Sequence, residues 1–250
     1  MTTAAAIIIG DEILSGRVRD ANGPPLIELF ADIGVDLNRI SYIGDAEEDI
    51  VAEVRFCAER YDAVVTSGGV GPTHDDRTVA AISRAFGVAV ERHPDLVEMI
   101  HAWWGERFTE AALRMADIPA GSRLVYSNDG LIPMVACKNV YIFPGIPRLF
   151  AAKIPALRGE LEGTQKHLAN LYLNSDESVI ADRLTAIDGT CPDVKIGSYP
   201  RSEGEDHRVW ITFESTDETA ANAALDRLLE VLDGDDVVRV ERSHVEHPRN

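Results

Sequence analysis

The run Ala63-Val64-Val65-Thr66-Ser67-Gly68-Gly69-Val70-Gly71-Pro72-Thr73-His74-Asp75-Asp76-Arg77-Thr78 decides the fold. Ala63 to Thr66 is apolar and β-branched and reads as a buried strand. A helix begins near Arg77 and runs through Phe86, where Gly87 stops it. Between strand and helix, Gly68, Gly69 and Gly71 permit positive φ and let backbone N–H groups converge. Such a loop can hold an anion at a helix N-terminus, on the carboxyl edge of a parallel strand. It is neither the G-x-G-x-x-G fingerprint nor a P-loop, because no Lys-Ser/Thr follows the glycines.

Upstream, the runs Ala4–Ile9 and Leu37–Ile43 are further strands. Leu26, Ile27, Leu29, Phe30 and Ile33 recur at helical spacing between them, as do Ile50, Val54, Cys57 and Ala58 before the glycine run. Pro24 and Pro25 suit the first turn of the first helix. This alternation predicts βαβ units, and hence an α/β three-layer sandwich around a mostly parallel sheet. Downstream, a helix is expected from Pro94 to about Phe108, with the Trp103–Trp104 pair as a packing anchor. Strands follow at Leu124–Tyr126, Leu131–Ala136 and Val140–Phe143, then a helix from Pro147 to near Leu161.

The pattern changes at Gly163, dividing residues 1–163 from 164–250. The second part reads strand Leu168–Leu173, helix Glu177–Ala186, strands Val194–Tyr199 and Arg208–Phe213, helix Thr219–Leu232 and strand Val237–Val240. That βαββαβ order is the ferredoxin-like arrangement of a smaller α+β domain. Arg201–Asp206 is its hairpin connection, and His244 and His247 lie in a frayed tail without a third metal ligand. Its role is expected to be an interface or a lid.

The chain has 250 residues, 24 Lys+Arg against 42 Asp+Glu, and a formal charge of −18, which disfavours any sequence-independent grip on nucleic acid. At 45% hydrophobic and 26% charged, it has the composition of a globular protein. The apolar run Ala4–Ile9 falls far short of the roughly 20 residues a membrane span requires, and no basic residue precedes Arg17 to form a secretory n-region. Cys57, Cys137 and Cys191 fit neither a disulfide framework nor a zinc pattern. They read as reduced core thiols of a cytoplasmic protein.

Three loops carry carboxylates to one sheet edge. Gly10-Asp11-Glu12-Ile13-Leu14-Ser15-Gly16 follows the first strand, Gly44-Asp45 follows the second, and Asp75-Asp76 closes the glycine run. Each has a structural reading as well. Glu12 can pair with Arg17 or Arg19, Asp45 with Glu48 can form a capping box, and Asp75, Asp76 and Thr78 can cap a helix. Carboxylates beside an anion loop would repel a bare anion, so a divalent metal or an amide-rich ligand is the natural complement.

These segments, with Phe143-Pro144-Gly145-Ile146-Pro147, resemble the molybdopterin-binding domain family over about residues 4 to 160. Within it they look closest to the amino-terminal domain of the competence/damage-inducible protein A family and to the corresponding domain of eukaryotic FAD synthases. Asn139–Pro147 and the tail with Lys195-Ile196-Gly197-Ser198-Tyr199-Pro200 lean towards the latter. Asn128-Asp129-Gly130-Leu131-Ile132-Pro133 departs from the Gly-Thr-Ala-Pro-Gly segment of the former. Neither the amidohydrolase nor the adenylyltransferase activity of domains that relatives attach is expected.

The resemblance implies a metal-dependent pyrophosphatase acting on ADP-ribose, FAD or a related dinucleotide. Its alternatives are a non-catalytic pterin-binding module and a step of molybdenum cofactor synthesis. It implies Asp45, Asp75 and Asp76 as catalytic groups and Asp11, Glu12, Asp45 and Asp76 as ligands of a divalent metal such as Mg, Mn or Co. It further implies a ligand surface of Gly10, Asp11, Glu12, Ser67, Gly68, Gly69, Gly71, Pro72, Thr73, Thr78, Pro144 and Gly145. The expected partners are a small nucleotide or pterin, molybdopterin included, and further copies of the chain in a homo-oligomer.

Overall fold

The computed structural model describes residues 1–126, 133–201 and 206–243. It divides into two compact units, Met1–Thr164 and Gln165–Asn250. In the first, β1 (Thr3–Ile9), α1 (Asp11–Leu14), α2 (Gly23–Asp32), β2 (Asp36–Ile43), α3 (Glu47–Arg60), β3 (Ala63–Ser67) and α4 (Thr78–Phe86) form the leading βαβ units. There follow β4 (Val90–Arg92), α5 (Pro94–Trp104), β5 (Asp117–Pro119), β6 (Arg123–Val125), β7 (Met134–Cys137), β8 (Val140–Phe143) and α6 (Pro147–Lys153). The main sheet has the order β2-β1-β3-β8-β7-β6. Its first four strands run parallel, and β7 pairs antiparallel with both β8 and β6.

Both faces of this sheet are covered, as its almost uninterrupted apolar strands require. Ala4, Ala6, Val65 and Phe143 point into a core with Leu26, Phe30 and Phe150 of α2 and α6. Ala5, Ile7 and Val64 point into another with Ile50 and Val54 of α3 and Ala81 and Ile82 of α4. The chain winds from β1 outwards to β2 and then crosses back to β3, so the direction of winding reverses between β1 and β3. In open α/β sheets that switch point leaves a crevice at the carboxyl ends of the strands.

Several boundaries differ from the periodicity. The helix expected to reach Phe108 ends at Trp104, because Gly105 takes φ 51° and ψ −126° and breaks the ladder. The helix expected to reach Leu161 stops at Lys153, and a 3-10 turn, Ile154–Gly159, continues from there. Pro155, at its start, cannot donate the amide that a longer α-helix needs. Between α4 and β6, the short ribbon β4–β5 frames an excursion whose own small core holds Leu96, Ile100, Ala112, Ala116 and Ile118. Residues 128–132 of the divergent segment, and with them the start of the expected strand Leu131–Ala136, lie outside the described residues.

The second unit contains β9 (His167–Leu173), α7 (Glu177–Asp188), β10 (Lys195–Pro200), β11 (Val209–Ser215), α8 (Glu218–Val231) and β12 (Val237–Glu241). The strands form an antiparallel sheet in the order β10-β11-β9-β12. Ala169, Leu171, Ile211 and Phe213 pack with Ile180, Leu225 and Leu228 of the two helices. Most of the expected hairpin connection, 202–205, and His244 and His247 lie outside the described residues. Cys57 and Cys137 are buried, and burial pushes the Cys57 thiol up to about 12. Cys191 sits at the margin of the second unit's core: it packs against that core but is only half-buried, with Arg227 Nη1 3.2 Å from its Sγ.

Candidate functional site

Three loops meet where β1, β3 and β8 end. Gly68 has φ 110°, and a Cβ there would lie 2.2 Å from the Ile9 carbonyl oxygen. Only glycine lets the β3 loop lie this close to β1. On the other side a Cβ at Gly145 would come 3.2 Å from the Gly68 Cα. Asn22, 5% exposed, ties the same loops together from below, donating from Nδ2 to Ser67 Oγ and to the Gly145 carbonyl, both at 2.8 Å. Asp20 in turn accepts from the N–H groups of Asn22 and Gly23 and from the Tyr42 hydroxyl, fixing the entry to α2.

The glycine loop is held from within. The Thr78 hydroxyl donates to the Gly68 carbonyl at 2.8 Å, and Thr78 N–H donates to the Gly69 carbonyl at 3.0 Å. Asp76 is not the helix cap that its position allows. Its Oδ2 accepts from Thr73 N–H at 2.8 Å and from the Thr73 hydroxyl at 2.5 Å, closing the loop, and Arg77 occupies the cap position without a side-chain bond. Gly68 N–H is bonded to the Phe143 carbonyl at 3.2 Å. Among the described residues the N–H groups of Gly69, Val70 and Gly71 make no hydrogen bond, and all three residues line a cleft of about 630 Å³.

The carboxylates approach this cleft from β1, β2 and the glycine loop. Asp11 N–H donates to Asp45 Oδ2 at 3.0 Å, and Asp45 N–H donates to Asp11 Oδ1 at 3.3 Å. The capping box expected of Asp45 and Glu48 does not form. Asp45 is drawn to Asp11 instead, and Ala46 precedes α3 without a side-chain bond. Burial pushes the Asp45 carboxyl up, the Asp11 N–H opposes this, and the negative charges of Asp11, Glu12 and Asp75 add to it. The Asp75 carboxyl lies below the ordinary carboxylate range, with hydrogen bonds from Thr73 and from its own backbone favouring the charged form, and His74 and Arg77 nearby adding to this. Glu12 makes no ion pair among the described residues; its carboxylate folds back over Gly10, with Oε1 2.6 Å from where a Cβ would stand.

Of the residues expected at the site, Gly10, Glu12, Asp45, Gly68, Gly69, Gly71, Pro72, Asp75, Asp76, Pro144 and Gly145 line the cleft. Asp11, Ser67, Thr73 and Thr78 do not line it and instead hold the residues that do. Sequence reasoning missed the apolar part of the lining, Leu96, Trp103, Trp104, Met115 and Ile118 of the excursion with Leu149 of α6. It also missed Lys153, a buried residue at the same cleft whose Nζ donates to the Pro133 carbonyl at 3.1 Å. The cleft lining thus combines backbone N–H groups and carboxylates with apolar and aromatic side chains.

For a metal, the donor set is right in kind: Glu12, Asp45, Asp75 and Asp76 supply hard oxygen ligands. Asp45 and Asp11 each use one oxygen on the other's backbone and keep a second. Among the described residues, no three His, Cys, Asp or Glu side chains converge as a finished coordination sphere.

Residues 5–158 match the family described as probable molybdopterin binding domain, and residues 165–241 match the FAD synthase middle domain. A probable FAD synthase of Caenorhabditis elegans is 30% identical over 93% of this chain and 50% of its own length. A CinA-like protein of Myxococcus xanthus is 34% identical over 61% of this chain and 39% of its own. The chain therefore spans about half or less of these curated relatives. The crystal structure of the protein CinA, of unknown function, from Thermoplasma acidophilum superposes with a TM-score of 0.59 at 31% identity, over 64% of this chain and 97% of that one.

Proposed function

The chain belongs to the molybdopterin-binding-domain family, and from that premise we propose that its first unit is a metal-dependent pyrophosphatase acting on ADP-ribose, FAD or a related dinucleotide. One observation carries the reading: Gly69, Val70 and Gly71 bring three successive N–H groups, unbonded among the described residues, to the switch point in the same cleft as the carboxylates of Glu12, Asp45 and Asp75. Unbonded N–H groups call for an anion. Carboxylates alongside them call for a cation that accompanies it. A diphosphate with a divalent metal meets both demands.

In this reading Glu12, Asp45 and Asp75 hold the cation, and Asp11 and Asp76 set the backbone on which they stand. The chemistry such a cation supplies when bound is neutralisation of the diphosphate and a lowered pKa of bound water. The loop N–H groups receive the charge that develops on the phosphoryl oxygens during attack. Asp45, the half-buried carboxyl that the negative charges of Asp11, Glu12 and Asp75 surround, would be the ligand whose charge such a cation most relieves. The apolar wall with Trp103 and Trp104 receives the ring at one end of the dinucleotide.

A second reading, a non-catalytic pterin module, draws support from the family's description and from the same apolar wall. Chromatography of ADP-ribose and FAD after incubation with the protein separates the two. Release of AMP that requires Mg, Mn or Co and is stopped by EDTA supports hydrolysis. Saturable pterin binding without product under any metal replaces it with the module.

A further inference from the structure

Alternate residues of β9, β10 and β11 enter the core beneath α7 and α8, so the residues between them form the opposite face of the second sheet. Across that face the register sets Tyr199 opposite Trp210, Trp210 opposite Tyr172 and Tyr172 opposite Arg239, a single row over all four strands. The Tyr199 and Trp210 ring centroids are 4.9 Å apart, and the Trp210 and Tyr172 rings are 6.4 Å apart and within 7° of parallel. A Cβ at Gly197 would come 2.9 Å from the Tyr199 ring, so the glycine gives that ring room to lie over the strand.

The polar edges of the rings are already satisfied. Trp210 Nε1–H donates to Asn170 Oδ1 and the Tyr172 hydroxyl donates to Glu241 Oε2, both at 3.0 Å. This fixes the rings and leaves apolar surface, with Tyr199 still 47% exposed. Two guanidinium groups lie over the row, Arg239 at 4.0 Å from the Tyr172 centroid and Arg201 at 5.3 Å from that of Trp210. Arg239 is paired with Glu241 and Asp206, whereas Arg201 makes no ion pair among the described residues.

We propose that this row binds a phosphorylated planar heteroaromatic ring, a nucleoside monophosphate, with the base stacked on Tyr199 and Trp210 and the phosphate at Arg201. Stacking on a ring face is tolerant of base identity, and rows of rings on an open four-stranded sheet serve this purpose. One open guanidinium matches one phosphate. A strand of many phosphates would meet a chain of charge −18. This site does not depend on the pyrophosphatase reading.

Cross-strand rings also stabilise a sheet unaided, and calorimetric titration of the full chain tells the two apart. The probes are AMP, adenosine and inorganic phosphate, and the variants are Tyr199→Ala, Trp210→Ala and Arg201→Gln, each checked for fold by circular dichroism. AMP affinity is expected to fall about tenfold in Tyr199→Ala and Arg201→Gln, and adenosine affinity in Tyr199→Ala but not in Arg201→Gln. Tyr199 and Arg201 keep the test valid if Trp210→Ala fails to fold. Unchanged AMP affinity in both variants overturns the proposal. So does single-stranded RNA binding more tightly than AMP at the same residues, or a dimer that Tyr199→Ala dissociates while AMP leaves it intact.

Discussion

Asp11 and Asp45 each accept the other's backbone N–H, at 3.3 and 3.0 Å, so the loops after β1 and β2 are joined through two carboxylates. The folded chain raises the Asp45 carboxyl, first through burial and then through its acidic neighbours. Folding therefore favours the protonated form. Asp45 contributes stability below the ordinary carboxylate range, and that contribution is lost as pH rises through its folded value. Asp45→Asn is thus expected to raise Tm at pH 7 by about 1–2 °C, a difference that closes in acid. Saturating Mg should raise the Tm of the native chain and leave that of the variant unmoved. Differential scanning calorimetry across pH, with and without the cation, checks both.

Glycines in the left-handed region are not equivalent. Gly68→Ala puts a Cβ against the Ile9 carbonyl, while Gly87, at φ 68°, has nothing within 4 Å of its Cβ position. Gly87→Ala should cost about 1 kcal/mol, the strain of the backbone alone. Gly68→Ala should cost several times as much and open the glycine loop. Urea unfolding of the two variants measures the difference.

The Thr78 hydroxyl is the partner of the buried Gly68 carbonyl. Thr78→Val keeps the shape and leaves that carbonyl unbonded, a loss of about 1–3 kcal/mol. Thr78→Ser should recover most of it. Chemical denaturation of the pair shows whether the hydroxyl, rather than the methyl, holds the loop.

Trp103 is 48% exposed and lines the cleft. Trp103→Ala should leave Tm nearly unchanged and raise KM for a ring-bearing dinucleotide with little change in kcat, the pattern of lost uniform binding. Steady-state kinetics test this on the substrate that the protein turns over.

The strand, glycine loop and helix of residues 63–86 were legible because local pattern dictates them: a buried β-branched run, residues that tolerate positive φ, and a glycine stop. The convergence of the first three loops followed from βαβ winding, which puts successive strand ends on one edge. What escaped was whatever depends on partners distant in sequence. Asn22 matters because Ser67 and Gly145 fold onto it, and nothing in Asn22-Gly23-Pro24 announces those bonds. Asp45 resembles a helix cap until the β1 loop competes for it, and Asp76 resembles one until Thr73 does. The apolar wall from the excursion was hidden because its core is a small satellite of the main one. In sequence, Trp103 and Trp104 show only an apolar helix face.

If the glycine loop holds the diphosphate, the Asp45 carboxylate takes part in cleaving it. The most direct measurement is the initial rate of AMP release from ADP-ribose and from FAD, at saturating metal, by the native chain and by Asp45→Asn, with folding verified for both. Metal-dependent release by the native chain is expected, with a loss of at least about a hundredfold in kcat for the variant. Equal rates in the two proteins, or no release by either, would contradict it.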